Sequence, residues 1–283
     1  MTVRVYLSET CKVLLLALIE GVTEWLPVSS TAHLLLFGGW LEISSFPPAF
    51  FNLFLYVIQL GAILAVPTLY AGSSPLFAFR KNGIKPTLRL WGPVLFGVLP
   101  AAVVGLLFDD ALDRFLSESG KARVVGLALL FYGFLFLLPR RKTGDQISDP
   151  YAVPLERAFG IGCFQALSIL PGTSRSGSCL LGARALGVSD PAGAEFSFFM
   201  AIPVMLGVSV LKSAKFMIRA ASGVPGYGLS PFPVCLLLIG FLVSYLVSLP
   251  VVRGLVGFVR RRGLAPFGVY RILLGLAVLL FAG

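Results

Sequence analysis

Apolar stretches long enough to cross about 30 Å of hydrocarbon recur near residues 49–70, 91–108, 122–138, 192–211, 232–250 and 264–282. No water enters that layer to satisfy free peptide groups, so each such stretch must be a helix. Two further apolar regions, about residues 10–41 and 157–187, are interrupted in the middle by "LPVSS" and "LPGTSRSG". Proline there frees backbone groups that lipid cannot satisfy, so the interruptions must be buried in protein or line a wet cavity. Each half of a broken region is expected to be too short to cross alone. With 57% hydrophobic and 13% charged residues, the chain lies far from the soluble average. The reading is an all-α polytopic membrane protein with six transmembrane helices and two re-entrant helix pairs.

The net charge of +10 does not point to nucleic acid, because the basic residues sit in short loops between apolar runs. With Arg80, Lys81, Lys85 and Arg89 placed inside, alternation also puts Arg140, Arg141, Lys142, Arg157, Arg253 and Arg260 to Arg262 inside. That count holds only if each broken region returns to the side it entered from. The first then dips in from outside and the second from inside, an inverted arrangement. "TEWLPVSST" and "LSILPGTSR" align on Leu26-Pro27 with Leu170-Pro171, which matches Ser30 to Ser174. One membrane domain over 1–283 follows, with a first repeat of about 1–140 and a second of about 150–283. The N-terminal region is expected to stay uncleaved, since acids interrupt its apolar run. Cys11, Cys163, Cys179 and Cys235 show no metal or CxxC spacing and are expected to be buried free thiols.

Chemistry concentrates at the two breaks. Glu20 and Glu24 stand at i and i+4, on one face of a helix. Each acid costs about 2.5–3.5 kcal/mol at a helix centre in lipid, so a divalent cation, an arginine or a shared proton must compensate the pair. His33, the only histidine, follows Ser29, Ser30 and Thr31. It could activate a hydroxyl or itself attack phosphorus, while the hydroxyls could equally cap the helix that follows. "PGTSRSGS", residues 171–178, offers small residues, hydroxyls, helix-start N–H groups and the fork of Arg175, a combination suited to phosphate. Ser189-Asp190-Pro191 reads as a helix start. Glu195 and Gln165 are weaker candidates for the same cavity.

"EGVTEWLPVSSTAH" and "PGTSRSGS", about 145 residues apart and followed by "AEFSFFMAIPVMLG", closely resemble the bacitracin-resistance type of undecaprenyl-diphosphate phosphatase. The resemblance covers nearly the whole chain. It implies a bacterial cytoplasmic-membrane enzyme that removes the terminal phosphate of a polyprenyl diphosphate lipid, with an inverted repeat, interdigitating re-entrant helices and a metal-assisted site facing the periplasm. By position, Glu20 and Glu24 match the family's acids and would hold Mg²⁺ or Ca²⁺. Ser30 and His33 match its active-site serine and histidine, and Arg175 with Ser174 and Ser176 matches its phosphate-binding motif. Ser29, Thr31, Gly172 and Thr173 are the neighbouring candidates for substrate contact. Three positions depart from the pattern: Ala32 where Gly is usual, Cys179 where Thr is usual, and Asp190 where Arg is frequent. The partners implied are the lipid substrate and membrane lipid, and self-association as a homodimer is left open. The alternative is a flippase for polyprenyl phosphate, since paired broken helices also mark transporters. The acid-phosphatase type of lipid phosphatase uses two histidines, and this chain has one.

Overall fold

The computed structural model describes residues 3–38, 41, 46–71, 85–115, 118–139 and 146–281. Arg80, Lys81, Arg140, Arg141 and Lys142, on which the charge count partly rests, lie outside them. Ten α-helices run through the described residues: α1 Val3–Thr23, α2 Ser30–Gly38, α3 Pro48–Tyr70, α4 Lys85–Phe115, α5 Glu118–Leu137, α6 Leu155–Ala166, α7 Arg175–Ala185, α8 Asp190–Ala221, α9 Pro231–Arg262 and α10 Ala265–Phe281. The β pairing among them is a single bridge, Ile147 to Val188.

Five of these helices, α3, α4, α5, α8 and α9, are long and apolar enough to cross a membrane. The multi-pass reading therefore holds at that level, with five of the six expected spans reaching that length among the described residues. The difference is α10, whose 17 residues make about 26 Å of helix at 1.5 Å per residue, slightly less than the hydrocarbon layer. The first broken region also differs from expectation. With 21 residues, α1 is about 32 Å long, so length alone would let it cross. It is set apart by Arg4, Glu9, Lys12 and Glu20, and Glu9 and Lys12 form an ion pair at 3.3 Å. The other halves are short as expected: α2 has 9 residues, α6 has 12 and α7 has 11.

The outer surface is apolar, as lipid requires: Leu106, Phe134, Leu238 and Leu280 are all exposed. The cysteines follow the same logic and correct the sequence reading. All four are free, but Cys11, Cys163 and Cys235 are exposed and only Cys179 is buried. A thiol in an apolar span gains as much from facing lipid as from facing the core, so hydrophobic context did not predict burial.

Helix pairing follows a regular exchange. α4 packs on α6 as α9 packs on α1, and α2 touches α10 as α7 touches α5, while α3 with α8 and α5 with α10 pair across the middle. The α5–α10 contact is close because glycines face each other. A Cβ at Gly133 would lie 2.9 Å from Gly268 O, and one at Gly268 would lie 2.8 Å from Gly133 O. Small residues are what let helix backbones approach where lipid supplies no hydrophobic drive. The central cluster gathers Trp25 from the first break with Phe196, Phe198 and Phe199 of α8, and the Trp25 and Phe198 rings meet edge to face at 5.3 Å. That cluster fixes the first break against the long helix beside the second.

Candidate active site

Both breaks end in the same local device. Ser29 and Ser174 have positive φ, 70° and 67°, and each directly precedes a short helix. Ser29 Oγ accepts from Ala32 N–H at 3.4 Å, and Ser174 Oγ accepts from Gly177 N–H at 3.2 Å. A non-glycine residue in this region costs about 1–3 kcal/mol and persists only where its surroundings enforce it. The shared cap shifts the correspondence between the breaks by one residue from the Leu-Pro alignment. Ser29 is the counterpart of Ser174, which puts Ser30 opposite Arg175. The cause is a loop with one more residue between proline and cap in the second break. Within it, Gly172 has φ 93°, and a Cβ there would lie 2.6 Å from the Val125 Cα.

The shift matters because Ser30 and Arg175 converge on one acid. Arg175 Nη2 donates to Glu24 Oε1 at 2.9 Å, and Ser30 Oγ donates to Glu24 Oε2 at 2.9 Å. Arg175 Nη1 also donates to Ser197 O at 3.2 Å, its guanidinium lies 5.6 Å from the Trp25 ring centroid, and its Nε is buried without a partner. Arginine was one of the compensating groups open to the acid pair, and it serves Glu24. Glu20 is not reached by the arginine: it is 1% exposed, neither carboxylate oxygen makes a hydrogen bond of full geometry, and the Gln59 amide of α3 is the polar group within reach of it. A buried carboxylate one turn from a second acid has the oxygen chemistry that a hard divalent cation would use. Among the described residues no group of three or more His, Cys, Asp or Glu is gathered, so the protein donors to such an ion would be limited to this pair.

A cavity of about 560 Å³ opens from this cluster and runs between α4 and α8. Glu24, Ser29, Ser30 and Thr31 line it from the first break, and Gly172, Ser174 and Arg175 line it from the second. Farther along, its wall is apolar, with Val98, Ala102 and Leu106 of α4 facing Val204 and Val208 of α8. Such a shape takes an anionic head and an apolar tail together.

Four predicted site residues lie off that wall, and three of them are held by hydrogen bonds within the breaks. His33 Nδ1 donates to Ser29 O at 2.7 Å, and its Nε2 accepts from the Tyr270 hydroxyl at 2.7 Å, so both ring nitrogens are engaged away from Ser30. The imidazole holds the carbonyl of the strained cap. Thr173 Oγ1 donates to Leu170 O at 2.8 Å and also reaches Leu167 O, closing its own turn. Ser176 Oγ donates to Leu26 O at 3.1 Å and so joins the two breaks. Glu20 is the fourth.

The departures from the family pattern resolve locally. Ala32 is fully buried under the first cap. Cys179 is buried, and its Sγ donates to Gln165 Oε1 at 3.1 Å, linking α7 to α6 instead of facing the cavity. Asp190 forms a two-point ion pair with Arg184 at 2.8 and 3.2 Å, while Ser189 caps α8. Glu195 does not line the cavity, and its charged neighbours are Arg260 and Asp149.

Five residues that matter here were not singled out from sequence. Tyr56 and Gln59 of α3 and Lys212 of α8 line the cavity or face its acids. Tyr270 holds His33, and its neighbour Arg271 is fully buried in α10. Arg271 Nη1 donates to Pro27 O at 3.0 Å, and Nη2 donates to Gly172 O at 2.8 Å and Thr173 O at 3.1 Å. An arginine in "VYRILLGLAVLLF" is a signal in itself, because a cation at a helix centre in lipid costs about 2.5–3.5 kcal/mol. Three bonds from a charged donor, at about 1.5–3 kcal/mol each, can offset that cost.

Fold and site together define a multi-pass membrane protein with a buried carboxylate, bonded to a half-buried arginine and serine, at the head of an apolar cavity. The family model described as Bacitracin resistance protein BacA matches residues 13–277, and the chain belongs to that family. It is 42% identical over 273 residues to the undecaprenyl-diphosphatase of Latilactobacillus sakei subsp. sakei (strain 23K), covering 95% of this chain and 96% of that protein. It is likewise 40% identical to undecaprenyl-diphosphatase 1 of Clostridioides difficile (strain 630) over 97% of both chains. The undecaprenyl-diphosphatase of Streptococcus mutans serotype c (strain ATCC 700610 / UA159) is 41% identical over 96% of both.

Proposed function

We propose that this chain hydrolyses undecaprenyl diphosphate to the monophosphate and inorganic phosphate, the activity in its relatives' names. The observation that carries the reading is the junction of Arg175, Glu24 and Ser30 at the head of the apolar cavity. Arg175 and the N–H groups at the starts of α2 and α7 bind the terminal phosphate. Ser30 Oγ attacks the terminal phosphorus, its proton passes to Glu24, and the bond from phosphorus to the bridging oxygen breaks to release the lipid monophosphate. Water then cleaves the phosphoserine, with Glu24 returning the proton. Ser30 is chosen over His33 because it lines the cavity and already shares its proton with a carboxylate. Mg²⁺ or Ca²⁺ held by Glu20 and Glu24 would neutralise charge on the transferring phosphoryl group.

We further propose that the chain is an inverted repeat of α1–α5 and α6–α10, sits in the bacterial cytoplasmic membrane and opens its site to the periplasm. The exchange of helix contacts and the matched caps at Ser29 and Ser174 support the repeat. A flippase would need the anion pocket but not a hydroxyl bonded to a buried acid. Detergent-solubilised protein has no sides, so phosphate release from purified C55 diphosphate separates hydrolysis from transport. Release should be fast in the wild type and nearly abolished in Arg175→Ala. Near-normal turnover in that variant would remove the site proposed.

A further inference from the structure

We propose that Arg271 is a positioning residue: from α10 it ties the turn of the first broken helix pair to the turn of the second and so sets the register at which Arg175 meets Glu24. Its two terminal nitrogens divide between the breaks. Nη1 donates to Pro27 O at 3.0 Å in the first, and Nη2 donates to Gly172 O at 2.8 Å and Thr173 O at 3.1 Å in the second. These carbonyls belong to the loop residues just ahead of the caps, where helical bonding has stopped. From Pro27 the chain runs two residues to the Ser29 cap and one more to Ser30. From Thr173 it runs one residue to the Ser174 cap and one more to Arg175. A displacement of the fork is therefore delivered within three residues to both groups that bond Glu24.

The environment suits this role and no direct one. Arg271 is fully buried, does not line the cavity, and has no acidic partner among the described residues. Tyr132 and Phe136 of α5 flank the guanidinium, with ring centroids 5.4 and 5.7 Å away. α10 itself is held to α5 by the close glycine contacts, so the guanidinium is not needed to dock its own helix. A planar fork reaches the two segments through two nitrogens in fixed geometry, whereas an ammonium would have to reach both from one atom. A misplacement of about 1 Å at a reacting group can cost about 100-fold in rate.

This inference rests on the phosphatase reading of the site, and the test separates the two. Phosphate release from C55 diphosphate and thermal unfolding are measured on purified wild type, Arg271→Lys, Arg271→Gln and Arg271→Met. In Arg271→Lys, kcat should fall about 100-fold while KM stays within about threefold and the unfolding midpoint within about 5 °C. Arg271→Met should lose at least as much activity and also unfold earlier. A folded Arg271→Lys with kcat within about threefold of wild type overturns the inference alone. So does a rise in KM at unchanged kcat, which would make Arg271 a binding residue. Failure of both Arg271→Lys and Arg271→Gln to fold would make it purely structural. A wild type that releases no phosphate would defeat the phosphatase reading and this inference with it.

Discussion

Replacing Glu24 by glutamine tests the heart of the site with almost no change in shape. Glu24 accepts on both oxygens, from Arg175 Nη2 and from Ser30 Oγ, each at 2.9 Å. Glutamine has one acceptor and one donor, so it must turn its amide nitrogen toward one of them. Facing the guanidinium would set donor against donor, so the oxygen stays with Arg175 and the NH₂ group meets Ser30. The hydroxyl must then accept where it used to donate, and its proton loses its base. Removing one charge of a buried pair costs about 3–5 kcal/mol. The lower end, about 3 kcal/mol, is expected because Arg175 keeps Ser197 O and the Trp25 ring. A general base contributes about 10²–10⁴ in rate, so kcat should fall at least about 100-fold, or about 2.7 kcal/mol in the barrier. The assay is phosphate release at a temperature where thermal unfolding shows the variant still folded. If turnover per folded molecule stays within about threefold of wild type, Glu24 is an ion-pair partner only and the proposed proton transfer is wrong.

Ser30→Ala should lose at least about 10³-fold in kcat with little change in unfolding midpoint, since one hydrogen bond contributes about 1 kcal/mol; turnover within about tenfold of wild type would return the attack to water or His33. Tyr270→Phe removes the hydroxyl on His33 Nε2 and should cost about 1 kcal/mol of stability and no more than about tenfold in kcat. A loss as large as that of Ser30→Ala would show the imidazole acting in the chemistry. Gly172→Ala must place a Cβ 2.6 Å from Val125 backbone atoms at φ 93°, so it should be destabilised by at least about 1–3 kcal/mol; an unchanged midpoint in thermal unfolding would contradict the turn geometry. Chelation should abolish phosphate release and Mg²⁺ or Ca²⁺ restore it, and this response should be lost in Glu20→Gln. A normal metal titration in Glu20→Gln would exclude that carboxylate as a ligand.

Much of this arrangement is legible in the chain because lipid narrows the choices. Apolar runs that must be helices, and the polar Pro- and Ser-containing segments that interrupt two of them, place α3, α4, α5, α8 and α9 and both interruptions directly, whereas proline alone does not mark a break, since Pro67, Pro100, Pro203 and Pro250 lie inside helices. Glu24 and Arg175 are legible for the same reason: each is too costly in an apolar segment to stand alone, and they meet at 2.9 Å. What escapes is direction. Which serine of the first break corresponds to Ser174 depends on one residue of loop length: Leu-Pro alignment matches Ser30, whereas the caps match Ser29. His33 beside three hydroxyls invites a nucleophile–base reading, yet the imidazole turns to a backbone carbonyl and to Tyr270, which lies 237 residues along the chain. Arg271 carried the same energetic signal as Glu24 but sat in a run long enough to read as an ordinary span.

The charges around the cavity head bear on why Glu20 faces an amide, Gln59, and not a cation. With Glu20 and Glu24 both ionised, two carboxylates and one guanidinium would leave an excess of one negative charge where an anion must bind. Two helix starts, capped by Ser29 and Ser174 on the cavity wall, together add about one positive charge and bring the sum near zero. A terminal phosphate adds about −1.5 to −2. Lys212 lies seven residues beyond Met205, the α8 residue that touches Arg175, or about 10 Å farther along the helix, too distant to neutralise the head directly. Arg271 is committed to carbonyls behind the breaks. A cation or proton that joined with the substrate would meet the balance, and Glu20, whose two buried oxygens lie beside the Gln59 amide and not a second guanidinium, would be the group to take it.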